Sequence, residues 1–113
     1  MAEQPPGIAA PTKLLLAVFD ADDEWEGEPL HEAIVRVLEI HEIAGVTVLQ
    51  GVTGFGAHRA VHRRGLIGLP HDRPTVMVII ENESKLRAVL PTLRPMIAQG
   101  IVALSDAEVI PLL

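Results

Sequence analysis

The sequence predicts an α+β domain in the order strand, helix, strand, strand, helix, strand, and three observations predict it. Apolar runs at residues 13–19, 46–53, 75–81 and 101–104 have the length and β-branched content of strands. Two intervening segments, after Pro29 and after Asn82, repeat apolar residues at three- and four-residue spacing, as amphipathic helices do. Each helix then bridges a strand pair, and right-handed crossovers give the ferredoxin-like βαββαβ plan: an antiparallel sheet with two helices on one face.

The first run, KLLLAVF, is continuous and apolar. An acidic stretch follows, with Asp20, Asp22, Asp23, Glu24, Glu26 and Glu28 around Trp25 and Gly27. Acids suit the positive end of a helix and solvate a loop; DxDxDG spacing is absent, so no metal site is read here. Pro29 suits the first helical position and Gly45 the stop, with Leu30, Ala33, Ile34, Val37, Leu38, His41 and Ala44 as the apolar stripe. His41, near the helix end, reads as a packed or dipole-satisfying histidine rather than a ligand.

In the second strand Val46, Val48 and Val52 alternate with Thr47, Leu49 and Thr53 until Gly51, Gly54 and Gly56 interrupt the pattern. Glycines at a strand end read as a hinge with exposed N–H donors. After the third strand, Asn82 is an N-cap candidate, and Leu86, Val89, Leu90, Leu93 and Ile97 form the buried stripe of a helix stopped by Gly100. Pro91 removes a bond to the Arg87 carbonyl and predicts a kink; Pro95 weakens the last turn. The fourth strand is short, residues 105–108 turn the chain, and Val109 and Ile110 add a last extended piece.

Length and composition bound the rest. With 113 residues, 49% of them hydrophobic, the chain supports one domain at 13–113, preceded by a disordered arm at 1–12 that holds Pro5, Pro6, Gly7 and Pro11. The arm lacks the basic segment and apolar core of a signal peptide, cysteine is absent, and no apolar run suffices to cross a bilayer, so the reading is cytoplasmic. A net charge of -6 argues against nucleic acid as a partner.

An antiparallel sheet covered on one face alternates apolar with polar residues. Residues 14–19 and 76–80 do not alternate: both sets are apolar, so both faces require burial. A symmetric oligomer packed sheet to sheet meets that requirement.

The candidate site is the hinge and the loop after it, residues 57–72. No acidic residue lies between Ile43 and His71, although acids outnumber bases 15 to 9 in the chain. The loop carries His58, Arg59, His62, Arg63, Arg64 and His71, a local positive charge that suits an anion or an acidic surface. His58 and His62 have the four-residue spacing of metal pairs, but no Glu accompanies them and Arg59, Arg63, Arg64 and Arg73 oppose a dication. No metal is expected.

The helix start PLHEAIV (29–35), the run AGVTVLQGVTGFG (44–56), the loop with His62, Arg63 and Leu69, the strand end VMVIIEN and the closing EVIP together resemble the PII-like superfamily, in its uncharacterised branch, the domain of unknown function family 190. The resemblance spans residues 13–111. It implies a homotrimer with sheets facing inward, and a small ligand, an adenine nucleotide foremost, between subunits. It further implies a mobile loop that reports to a partner such as a membrane transport protein or channel. It places that ligand near Gly54, Phe55 and Gly56; with the basic residues that follow, the ligand-binding candidates are Gly54, Phe55, Gly56, Ala57, His58, Arg59, His62 and Arg63. The chain departs from PII proteins in carrying Ala57, His58 and Arg59 after the glycines instead of Arg-Gln, and in running from its third strand directly into a helix. Arg59, Arg63 and Arg64 then supply phosphate contacts from the loop.

A ligand-sensing regulator ranks first. A small oligomeric enzyme ranks below it, because the chain has no Cys, only Ser84 and Ser105 as serines, and no carboxylate in the hinge. A CutA-like cation-tolerance protein shares the fold but not the GFG and basic loop. An RNA-binding module stacks bases on strand aromatics, and here those positions hold Leu, Val and Ile.

Overall fold

The computed structural model describes residues 11–54 and 73–112. In order these form β1 Thr12–Asp20, β2 Glu24–Trp25, β3 Glu28–Pro29, α1 Leu30–Ile40, β4 Thr47–Gln50, β5 Pro74–Asn82, α2 Glu83–Met96 and β6 Ile101–Asp106. With the small β2–β3 hairpin set aside, this is the expected βαββαβ order. The four longer strands make one antiparallel sheet, ordered β4-β5-β1-β6, so the long strands are central and the short ones are edges.

The pleat sorts each central strand into two sets. Leu15, Ala17 and Phe19 of β1 are buried, opposite Ile79, Met77 and Thr75 of β5. They join Leu30, Ala33, Ile34 and Leu38 of α1 and Leu86, Val89, Leu93 and Met96 of α2 in one core. Between its end pairs Thr12↔Asn82 and Asp20↔Pro74, the other set forms three cross-strand rows on the opposite face. Leu49, Val76, Val18 and Ile101 make one row; Thr47, Val78, Leu16 and Ala103 the next; Ile80, Leu14 and Ser105 the last. No charged residue stands in these rows, and Leu49, Ile80 and Ile101 are 50%, 48% and 54% exposed.

Several boundaries differ from the sequence reading, each for a local reason. Part of the acidic stretch is a hairpin and not a helix start. Glu26 (φ 51) and Gly27 (φ 86) are the two positive-φ residues of a two-residue turn, the geometry that matches strand twist, and Trp25 pairs with Glu28 across it. Before the hairpin, Asp22 N–H donates to Asp20 Oδ1 at 2.7 Å and Asp23 N–H to the Asp20 carbonyl at 3.0 Å, an aspartate-capped turn. Pro29 is consequently the N-cap of α1 and not its first helical residue.

α1 ends before Gly45. Ile43 N–H donates to the Leu38 carbonyl and Glu42 N–H to the Glu39 carbonyl, both at 3.0 Å, while Glu42 adopts φ 57. That is a Schellman stop with Glu42 in the left-handed position usually given to glycine. His41 is the C-cap, its Nδ1 donating to the Val37 carbonyl at 3.0 Å, in keeping with a packed histidine. Helix α2 continues through Pro91 and Pro95 to Met96. Gly100 is required by close approach: a Cβ there would run into the Val18 carbonyl. β6 extends to Asp106 instead of turning at Ser105, because its register with β1 persists to Lys13↔Asp106. Residues 107–112, which include the short extended piece expected at Val109 and Ile110, hold no strand. Thr12 opens β1, and the carbonyl of Pro11 accepts from Glu83 N–H at 2.8 Å, so these two residues of the expected arm are structured.

Candidate functional site

The glycine segment expected to be a hinge begins where β4 leaves the sheet. Gln50 pairs with Thr75, and the ladder gains one further bond, Gly51 N–H to the Pro74 carbonyl at 2.6 Å. Gly51 is needed for contact, not for φ: a Cβ would meet the Pro74 ring at 2.5 Å. Gly54 stays beside the same ring, with its own Cβ position 3.5 Å from Pro74 Cγ. On the return strand the carbonyl of Arg73 accepts from Ala21 N–H at 2.9 Å. Residues 51–54 and 73–74 are thus held together at one end of the sheet, beside the turn at 20–23. The α2–β6 connection reaches the same end, since Ile101 pairs with Val18.

Of the residues assigned to ligand binding, Gly54 is placed at this sheet end. Phe55, Gly56, Ala57, His58, Arg59, His62 and Arg63 lie outside the described residues, as do Arg64, His71 and the rest of the 57–72 loop. What the structure supplies is their anchorage: two strands emerging side by side, Val52 89% exposed, and Gly51 and Gly54 both beside the Pro74 ring. Among the described residues, no three His, Asp or Glu side chains gather as a metal site.

Two features escaped the sequence reading. Glu81, whose side chain is 5% exposed, stands on the helix-facing side of β5. Its carboxylate accepts from Ala44 N–H at 2.8 Å and from Asn82 N–H at 3.1 Å, with Lys85 Nζ 3.9 Å away. Lys85 in turn donates to the Glu42 carbonyl at 2.6 Å, so one carboxylate and one ammonium tie the exit of α1 to the start of α2. The only signal was a charged residue ending an apolar strand. The second is a concavity around Trp25, framed by the hairpin and both helices, for which the lone Trp beside a Glu-Gly turn was the available clue.

With this geometry in hand, residues 12–109 match the family of uncharacterised proteins described as DUF190, Uncharacterized ACR. The chain belongs to the DUF190 family. It is 30% identical to a UPF0166 protein of Aquifex aeolicus over 87% of this chain and 93% of that one. To a UPF0166 protein of Methanocaldococcus jannaschii it is 29% identical, over 86% and 90%. Among solved structures it resembles CPII, a nitrogen regulatory PII-like protein of Thiomonas intermedia bound to ADP, AMP and bicarbonate, with TM-score 0.62, 16% identity and coverage of 88% and 94%. A putative PII-like signalling protein of Thermus thermophilus gives TM-score 0.59 at 19% identity, covering 89% and 91%. The fold of this DUF190 protein is therefore PII-like, and among its described residues no helix is long and apolar enough to cross a membrane.

Proposed function

We propose that this DUF190 protein is a trimeric PII-like regulator. In it a small ligand, an adenine nucleotide first among candidates, binds between subunits near Gly54, Phe55 and Gly56 and governs the basic 57–72 loop, which addresses a partner such as a membrane transporter or channel. The observation that carries this reading is the open sheet face. Its three rows are apolar apart from Thr47 and Ser105. β4 adds an uncovered edge whose four residues are all exposed. A face of this kind is stable in water when copies of the chain cover it, and a symmetric assembly covers all of them at once. Subunits joined there bring the strand ends, and with them the glycine hinge, to the boundary between neighbours. The likeness of fold to CPII, whose structure is described as bound to ADP, AMP and bicarbonate, supports an adenine nucleotide as ligand. Arg59 and Arg63 supply the phosphate contacts in this proposal.

The test is a thermal-shift series with ATP, ADP, AMP and cyclic nucleotides beside light scattering. A ligand that binds only the folded state raises its melting temperature by mass action. Stabilisation by an adenine nucleotide at trimer mass, lost in the Arg59→Ala/Arg63→Ala double variant with the mass unchanged, is the expected result. A trimer indifferent to every nucleotide overturns the ligand, and a monomer overturns the assembly.

A further inference from the structure

Trp25 separates two adjoining concavities of about 380 and 270 Å³, which share Trp25, Pro95 and Met96 as a common wall. Val37 and Ile40 of α1 extend the apolar lining of the larger one, and Ile40 is 76% exposed. Charge around this apolar floor is one-sided. Asp23, Glu24, Glu26 and Glu28 line the two concavities, against the single cation Arg36, which is already paired with Glu28. Among the described residues, Glu24 and Glu26 enter no ion pair.

Glu26 occupies a positive-φ turn position that Asn, Asp or Gly fills with less strain, so a carboxylate is kept at the groove mouth at some local cost. The groove sits among the hairpin and the two helices, on the layer opposite the open sheet face. It stays accessible when copies pack through the sheet.

We propose that this groove docks a short basic and apolar segment of a partner protein. One aliphatic or aromatic side chain seats against Trp25 and Met96, and flanking Lys or Arg residues meet Glu24 and Glu26. Complementary charge selects such a segment over acidic ones and speeds its encounter, while the apolar anchor supplies the held contact. The surface is independent of the nucleotide reading and needs no ligand at the hinge.

Trp25 is the only tryptophan in the chain, so its emission reports occupancy of this groove directly. The 113-residue chain is titrated with an amphipathic Leu/Lys peptide, with the Leu/Glu peptide of the same pattern, and with tetramethylammonium. We expect a saturable emission change with the Leu/Lys peptide alone, weakened by salt. Glu24→Gln with Glu26→Asn should lower affinity roughly two- to fivefold per lost pair. Asn suits the turn, so the double variant keeps the fold, and its unchanged circular dichroism and melting temperature verify that. No saturable change, an equal response to the Leu/Glu peptide, or full affinity in the double variant overturns the proposal. An equal response to tetramethylammonium also overturns it, making the groove a small-cation site over the indole face.

Discussion

On the helix-facing side of the sheet, Leu15, Met77 and Ile79 are sealed beneath α1 and α2, while one residue further along the same strands Leu16, Val78 and Ile80 stand partly or largely open. Both faces are built mainly from aliphatic side chains, yet only the covered one buries polar groups; Thr47 and Ser105 on the open face are exposed. Thr75 and Glu81 are buried there, and Glu81 keeps both carboxylate oxygens engaged by backbone amides. A face inside one chain can specify partners for a buried carboxylate, because the neighbouring loops are part of the same molecule. The open face carries no such group and is fit for burial against any apolar surface of matching shape, such as its own symmetry mate. The contrast teaches that hydrophobic pattern marks what must be buried, and polar detail marks what is buried within the chain.

The sharpest way to break this comparison is to damage each face in turn. Leu86→Ala beneath the covered face should cost about 2–5 kcal/mol in urea unfolding, since a fully buried Leu leaves a cavity. Leu16→Asp on the open face should do something different in kind. Its scattering mass should fall to that of one chain, and its melting temperature should lose the concentration dependence of an oligomer. An unchanged mass and melting temperature would show that the open face is not an interface.

A smaller effect sharpens the polar side of the contrast. Glu81→Ala removes the acceptor of Ala44 and Asn82 N–H and should cost about 1–3 kcal/mol, with faster amide exchange at residues 43–46. Exchange no faster than in the parent would mean that water replaces the carboxylate.

The smallest effect lies at the sheet margin, where Lys13 Nζ meets Asp106 Oδ1 at 2.5 Å. The hydrogen bond from Lys13 holds the Asp106 carboxyl below the ordinary carboxylate range, and the same bond raises Lys13 above its usual value. The contribution of Asp106 is present above its unfolded pKa and lost as pH falls through its lowered folded value. That of Lys13 is present below its unfolded pKa and lost as pH rises through its raised one. The melting-temperature gap between the parent and Asp106→Asn should accordingly be flat through neutral pH and close at both extremes. A gap that persists in strong acid would assign it to packing instead of charge.

How far the fold could be read in advance differs from element to element. The central strands were legible because six consecutive residues of β1, 14–19, and most of β5 form unbroken apolar or β-compatible runs that no helix stripe mimics. The α2 stripe of Leu86, Val89 and Leu93 was equally plain, because burial of one helix face writes a 3.6-residue period into the sequence. The α1 stop was misread at Gly45, since Glu42 takes the left-handed position with its carbonyl held by Lys85 from another element. The hairpin at 24–29 was hidden by its charge: six carboxylates obscured a two-residue turn whose glycine comes second. Of the hinge, the sequence disclosed the glycines but not the reason for Gly51, which is the Pro74 ring packed across the strand pair.

By itself, then, the sequence determined the α+β order, the two helix stripes, the two-faced apolar strands, and one segment of net positive charge, free of acids, in an acidic chain. Each of these is written as a local period or composition, and local patterns need no knowledge of distant residues. Tertiary structure decided which alternate set of each strand meets the helices and how Glu81 and Lys85 join two helix ends. It also decided that Trp25, Pro95 and Met96 share one groove wall. These depend on register and on contacts between residues far apart in the chain, and register is set only when the whole sheet closes around its core.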